Sequence, residues 1–311
     1  MSSTFTIRDS RQLRAMTGVS EEQLEKLEKA FGDVYEKQKQ KEYEEAVERG
    51  ERKRKRGGGR KGSLPTIGEK LIFVLFYLKV YPTFDVLAGF FGMSRSKACE
   101  NLHRLLPILN ETLARLGVLP HRNFDTVEEM RKVFGDIDKI IIDATERLHR
   151  RPKDNEQQSE MYSGKKKKHT VKNTIISSVD KIILFLGKTF PGHIHDYKML
   201  KEEFSPDEPW FENISALADL GYQGIQKDYK GEIYIPYKKP PKSKNNPKPE
   251  LTQEQKNENR ALSRVRIFVE NAIGGIKRFN ILIHAFRNRR KNFDDDVIAL
   301  CSGLWNMAVI G

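Results

Sequence analysis

Cysteine is nearly absent from this 311-residue chain: Cys99 and Cys301 are the two, far apart and without a CxxC spacing. That excludes a cysteine-based zinc site and a disulfide scaffold, and it suits a reducing cytosol. Both read as small buried apolar residues. Long apolar runs are missing too. The longest, Leu71 to Tyr81, is interrupted by Lys79 and is too short to span a bilayer. The first residues, with Arg8, Asp9 and Arg11 close together, lack the apolar core of a signal peptide. No internal repeat is present, and no aromatic platform or RNP-like motif of the kind that reads RNA.

Positive charge, by contrast, is abundant. Lysine and arginine number 56 against 43 acids, a formal net charge of +13. Release of phosphate counterions by such a surface drives association with nucleic acid. The chain is 38% hydrophobic, enough for a substantial core in one large domain or two modest ones.

Ser20-Glu-Glu-Gln23 is a capping-box pattern, opening a helix to about Glu48 that reads either as a solvated arm or as an oligomerisation helix. The run from Arg52 to Lys61 (RKRKRGGGRK) reads as a flexible basic arm, with Arg52, Lys53 and Arg54 as candidate phosphate contacts. From Leu64 to Leu116 the pattern is helical. One apolar helix covers Glu69 to Tyr81, a second runs from a Thr83 cap to Phe91, and Ser94 starts a third after Gly92. A short helix, a glycine turn and a polar-headed helix form the helix-turn-helix pattern. Its second helix offers Arg95, Ser96, Lys97 and Asn101 to DNA.

Beyond about Val127 the pattern turns to strands. Lys139 to Asp143, His169 to Ser178, Lys181 to Thr189, Ile214 to Asp219 and Glu232 to Tyr237 read as strands. Helices are expected from Asp196 to Phe204, from Thr252 to about Phe279 and from Asp294 to Met307. The alternation implies an α/β fold, a mixed sheet flanked by helices. Lys238 to Glu250 is a Pro/Lys/Asn-rich loop. The expected organisation is an N-terminal helical arm with basic linker (1–61), a helix-turn-helix domain (62–120) and a catalytic domain (121–311).

Three acids stand out. Asp143 ends an Ile-Ile-Ile strand, and Asp219 leaves the apolar run Ala216-Leu-Ala218 ahead of a glycine turn. A carboxylate at a strand end is held rigidly, as a metal ligand needs to be. Glu270 lies on the long helix, within about 40° of Arg266 and Lys277 at 100° per residue. The bland alternative is an exposed Arg–Glu pair on a helix face. Three oxygen ligands without a Cys or His cluster suit Mg²⁺ or Mn²⁺, and two such ions support in-line phosphoryl displacement.

IIDATE, YSGKKKKHTVKN, PGHIHDYKML, ALADLGYQGI, IPYKKP and RVRIFVENAIGGIKRF, in that order, resemble the blocks of bacterial insertion-sequence transposases. They are similar to the DDE endonuclease branch related to Harbinger/PIF transposases, over roughly Leu64 to Trp305. The resemblance implies an RNase H-like core with Asp143, Asp219 and Glu270 as a metal-binding catalytic triad. Of its signature around the glutamate, Arg266, Glu270 and Lys277 match, and Ser263 stands where tyrosine is expected. Arg266 and Lys277 are then phosphate contacts, as is the lysine block Lys165, Lys166, Lys167 and Lys168. Asp196 reads as a helix cap, and His195 and Asp196 together as candidate active-site support. The partner implied is double-stranded DNA, meaning the element's inverted repeats and its target, met by a dimer or larger assembly in the bacterial cytoplasm at the nucleoid. The alternatives are an endonuclease of the same fold without strand transfer and a domesticated, non-cleaving DNA-binding protein.

Overall fold

The computed structural model describes residues 7–57, 62–135, 137–242 and 248–311, arranged in two compact units. The first holds residues 1–119 with Arg278–Ile281 and Gly311; the second holds Pro120–Lys277 with Leu282–Ile310.

The first unit is all helical: α1 (Ser10–Thr17), α2 (Glu21–Glu48), α3 (Ile67–Val80), α4 (Phe84–Phe90) and α5 (Arg95–Arg115). Local chemistry sets most starts. Ser20 and Gln23 close the capping box on α2, Thr66 and Glu69 do so on α3, and Thr83 and Ser94 cap α4 and α5. Helix α1 was not anticipated; an Asp9 cap and a left-handed Gly18 define its eight residues. Helix α2 is no solvated arm along its first half, where Leu27, Phe31 and Val34 are buried. The basic segment also departs from expectation. As far as Gly57 it runs back along α2, with Arg56 paired to Glu36 and Arg52 stacked 5.1 Å over Tyr43. The acid-rich face of α2 supplies the attraction. Residues 58–61 of that segment lie outside the described residues, as do 243–247 of the Lys238–Glu250 loop.

The second unit is built on a mixed sheet. Its strands are β1 (Lys139–Leu148), β2 (Tyr162–Ser163), β3 (Lys168–Ser178), β4 (Ile183–Leu186), β5 (Phe190–Pro191), β6 (Ser215–Ala218) and β7 (Ile233–Tyr234). Strand β3 is antiparallel to β1 and β4, whereas β6 runs parallel to β1 and β7 parallel to β6. An antiparallel meander continued by parallel strands, in the order β4-β3-β1-β6-β7, is the RNase H-like arrangement. The remaining helices are α6 (Val127–Phe134), α7 (Asn155–Met161), α8 (Asp196–Glu203), α9 (Ile225–Asp228), α10 (Gln253–Ile276) and α11 (Phe293–Ile310).

Alternation along β1 divides its side chains between the two faces of the sheet. Ile140 and Ile142 join a core with Phe134, Phe185, Phe204, Phe211 and Tyr222. Ile141 and Asp143 lie on the opposite face, where α10 packs across β1, β3 and β6. Gly275 of α10 sits against the Trp305 ring of α11, whose Nε1 donates to Lys181 O at 2.8 Å.

Candidate active site

Asp143 does not end its strand. Strand β1 continues to Leu148 because β3 goes on pairing with it, Ala144 opposite Thr174 through Leu148 opposite Thr170. The strand that ends here is the neighbour, β6, and its register puts Ile142 beside Ala218. The next residue on each strand is Asp143 or Asp219, so the parallel pairing carries the two acids to neighbouring positions. Each carboxylate is oriented in the same way: Asp143 Oδ1 accepts from Ala144 N at 2.7 Å, and Asp219 Oδ1 from Leu220 N at 2.6 Å.

From α10 comes Arg266, whose guanidinium enters between the acids. Its Nη1 lies 3.3 Å from Asp219 Oδ1, and its Nη2 lies 3.7 Å from Asp143 Oδ2 and 3.8 Å from Glu270 Oε1. Glu270, one turn further along α10, therefore shares this centre while its own side chain remains 56% exposed. The apolar neighbours anticipated around it divide: Val269 faces the sheet and Ile267 is 49% exposed.

Electrostatically the centre is over-supplied with negative charge, three carboxylates facing one guanidinium. Burial pushes the Asp143 carboxyl up to about 6, opposed by the Ala144 N–H and Arg266 and aided by Asp219 and Asp196. The buried Tyr222 hydroxyl has no hydrogen-bond partner, and burial and the same acids raise its pKa well above the ordinary value. An oxygen-only donor set with excess negative charge and an orphaned hydroxyl nearby fits a hard divalent cation. Among the described residues no three acid, His or Cys side chains already stand in ligating geometry. Arg266 occupies the centre of the group instead.

The other predicted residues disperse. Lys277 caps the C-terminus of α10, and its pKa is lowered first by burial, then by nearby Lys166; Glu146 pulls the other way. Lys165, Lys166 and Lys167 are the exposed turn between β2 and β3, with Lys167 at positive φ, and Lys168 begins β3. Asp196 is not the cap of α8. His195 is, accepting from Tyr197 N through Nδ1, and Asp196 in the first turn instead binds Lys172 Nζ at 2.9 Å. Lys172 was not singled out from sequence, since nothing local marks a β3 lysine as this acid's counter-ion. In the helical unit, Arg95, Ser96 and Lys97 stand exposed on the first turn of α5, while Asn101 is half-buried and bonded to Met93 and Arg104. Lys53 and Arg54 are exposed.

Two family models match. The model described as DDE superfamily endonuclease covers residues 142–306, and the helix-turn-helix of DDE superfamily endonuclease covers residues 62–115. A probable transposase for insertion sequence element IS702 of Microchaete diplosiphon is 32% identical over 248 residues, covering 79% of this chain and 82% of that protein. No solved structure matches. Among the described residues no helix is long and apolar enough to cross a membrane. Matches covering both units, with α3 to α5 in the first and an RNase H-like sheet in the second, lead to one conclusion: the chain belongs to the insertion-sequence transposases of the DDE endonuclease superfamily, with an N-terminal helix-turn-helix DNA-binding module.

Proposed function

We propose that this transposase binds the terminal inverted repeats of its element, cleaves the element ends, and joins the liberated 3′-hydroxyls to target DNA. The observation that carries the reading is the convergence of Asp143, Asp219 and Glu270 on Arg266, from two adjacent strands and the helix packed across them. In the first step a water oxygen attacks the end phosphorus in line, the P–O3′ bond breaks, and the 3′-oxygen leaves protonated. In the second step that hydroxyl attacks a target phosphorus and displaces the target 3′-oxygen.

Asp143, Asp219 and Glu270 would hold two Mg²⁺ or Mn²⁺ ions, which would activate the attacking oxygen and neutralise the leaving one. The chain's own contribution is positional. The Ala144 and Leu220 N–H groups hold the two aspartates in fixed rotamers. Arg266 balances the acids until phosphate arrives and then turns toward it, while Lys277 and Lys166 give the phosphates a positive flank. Lys165, Lys167 and Lys168 extend that flank, and Asp196, fastened by Lys172, backs the site with His195. On the DNA-reading side, Arg95, Ser96, Lys97 and Asn101 of α5 enter the major groove, and Arg52, Lys53 and Arg54 add backbone contacts. A dimer or larger assembly forms on the paired ends.

The test incubates purified protein with labelled left- and right-end DNA and a target plasmid, in Mg²⁺, Mn²⁺ or EDTA. Metal-dependent cuts at the ends followed by joined products are expected. Binding without cutting in either metal overturns the reading, and cutting without joining reduces it to an endonuclease.

A further inference from the structure

A cleft of about 690 Å³ lies in the second unit between the segment after β1 and the segment before α11. One wall carries Arg150, Arg151 and Lys153, and the other carries Arg289, Arg290 and Lys291. The walls are clamped together at the base. Phe286 N donates to Leu148 O at 3.1 Å, a parallel bridge joins His149 to Phe286, and the His149 and Phe286 rings stack. Among the described residues Arg150, Lys153, Arg289 and Lys291 form no ion pair with an acid, and Arg151 is bonded only to the neutral Gln158. Asp294 is the single acid in the lining.

Cations gathered on two separate segments, then held together by a backbone bridge, repel one another unless a polyanion intervenes. The helix-turn-helix, the basic arm, the lysine turn and the acid centre do not account for them. We infer that this cleft is a DNA-backbone site of the catalytic unit, seating the duplex about six base pairs from the reacting phosphate. The inference rests on the transposase reading of the acid centre. The spacing follows from β1 itself: six extended residues separate Asp143 from His149, roughly 20 Å at about 3.3 Å each. Stacked base pairs rise about 3.4 Å, so that length is about six of them. Arginines predominate, as phosphate contacts with bidentate geometry favour. Phe286 is buried and cannot stack on a base, and the cations dominate the lining, so the ligand is the sugar-phosphate chain of a duplex.

The experiment compares the full-length protein with R289A/R290A/K291A and R150A/R151A/K153A. Binding to a fluorescein-labelled duplex of the element's end is followed by anisotropy in EDTA across a salt series, with phosphate-ethylation interference on the same duplex. Each lost phosphate contact flattens the slope of log K against log salt by about 0.9, so each triple variant is expected to flatten it by about 2 to 3. Interference should vanish only at phosphates about six base pairs from the cleavage position. The charge-conserving R289K/R290K keeps the slope and serves as the folding control. Wild-type slope and interference in both triple variants, with wild type still cutting ends, overturn the cleft while leaving the transposase reading intact. Failure of wild type to bind or cut brings down the transposase reading itself.

Discussion

Arg266 Nη1 lies 3.3 Å from Asp219 Oδ1, although 46 residues of chain, the whole of β7 among them, separate the two. The same guanidinium reaches Asp143 and Glu270. One cation thus balances three acids that would otherwise repel one another, and a metal must contend with it. Arg266→Ala is expected to lower the stability of the metal-free protein by about 1–3 kcal/mol, the exposed partners reducing what a buried pair would lose. Adding Mn²⁺ should then raise the variant's melting temperature more than that of wild type. Thermal unfolding in EDTA and in Mn²⁺ measures both; an equal metal-induced gain in the two proteins means that Arg266 and the ion do not share the site.

Asp143→Asn is expected to remove metal-dependent end cleavage by on the order of 10³-fold or more, the several kcal/mol that a lost metal ligand represents. Affinity for end DNA should stay unchanged, because the proposed DNA contacts lie on other elements. Single-turnover cleavage and anisotropy on the same preparation give the two numbers. Joint loss of binding and fold sinks the catalytic assignment.

Burial pushes the Glu203 carboxyl from its ordinary 4.5 up to about 7, against the opposing pull of Thr174 and the Lys188 N–H. The folded state therefore holds a proton that the unfolded state has released between those values. This proton's contribution to stability is complete below about pH 4.5 and is lost as pH rises to about 7, some 3 kcal/mol in all. Glu203→Gln should flatten that slope and stabilise the protein at pH 8. Urea unfolding of both proteins at pH 5 and pH 8 checks it, and an unchanged slope removes Glu203 as its source.

Adjacent glycines on α10 should behave in opposite ways. A Cβ at Gly275 would overlap the Trp305 ring, which its bond to Lys181 O holds in place, whereas a Cβ at Gly274 meets nothing. Gly275→Ala is expected to cost about 1–3 kcal/mol and to shift the helix that carries Arg266 and Glu270. Gly274→Ala should gain up to about 1 kcal/mol from helix propensity. Denaturant midpoints decide, and similar effects at both positions would refute the close packing.

Much of the architecture was legible because its signals are local. Ser20, Thr83 and Ser94 cap the following helices with their own side chains, and a cap needs only the next three residues. The helix-turn-helix pattern and the family blocks are likewise carried by short strings. The end of β1 was misplaced because Ala144-Thr-Glu-Arg147 is not an apolar run. Those residues are strand only because β3 lies alongside, with Arg147 buried and bonded to Asn173 and to Asp294 O. Asp196 was mistaken for the cap of α8 because its partner, Lys172, is 24 residues away on β3.

By itself the sequence determined which residues carry charge, where most of the helices start, and which acids follow apolar runs (Asp143 and Asp219) or lie on a long helix beside cations (Glu270). Only the tertiary structure decided that the register of β1 against β6 sets the two aspartates side by side. Likewise it directed α10 across that face so that Arg266 lies among the acids, and it clamped His149 to Phe286 to gather two basic segments into one cleft. The reason is physical. Caps and apolar periods are satisfied within one turn or one strand, whereas strand register and helix crossing follow from burying a shared core, and charges far apart in sequence are carried into contact by that burial.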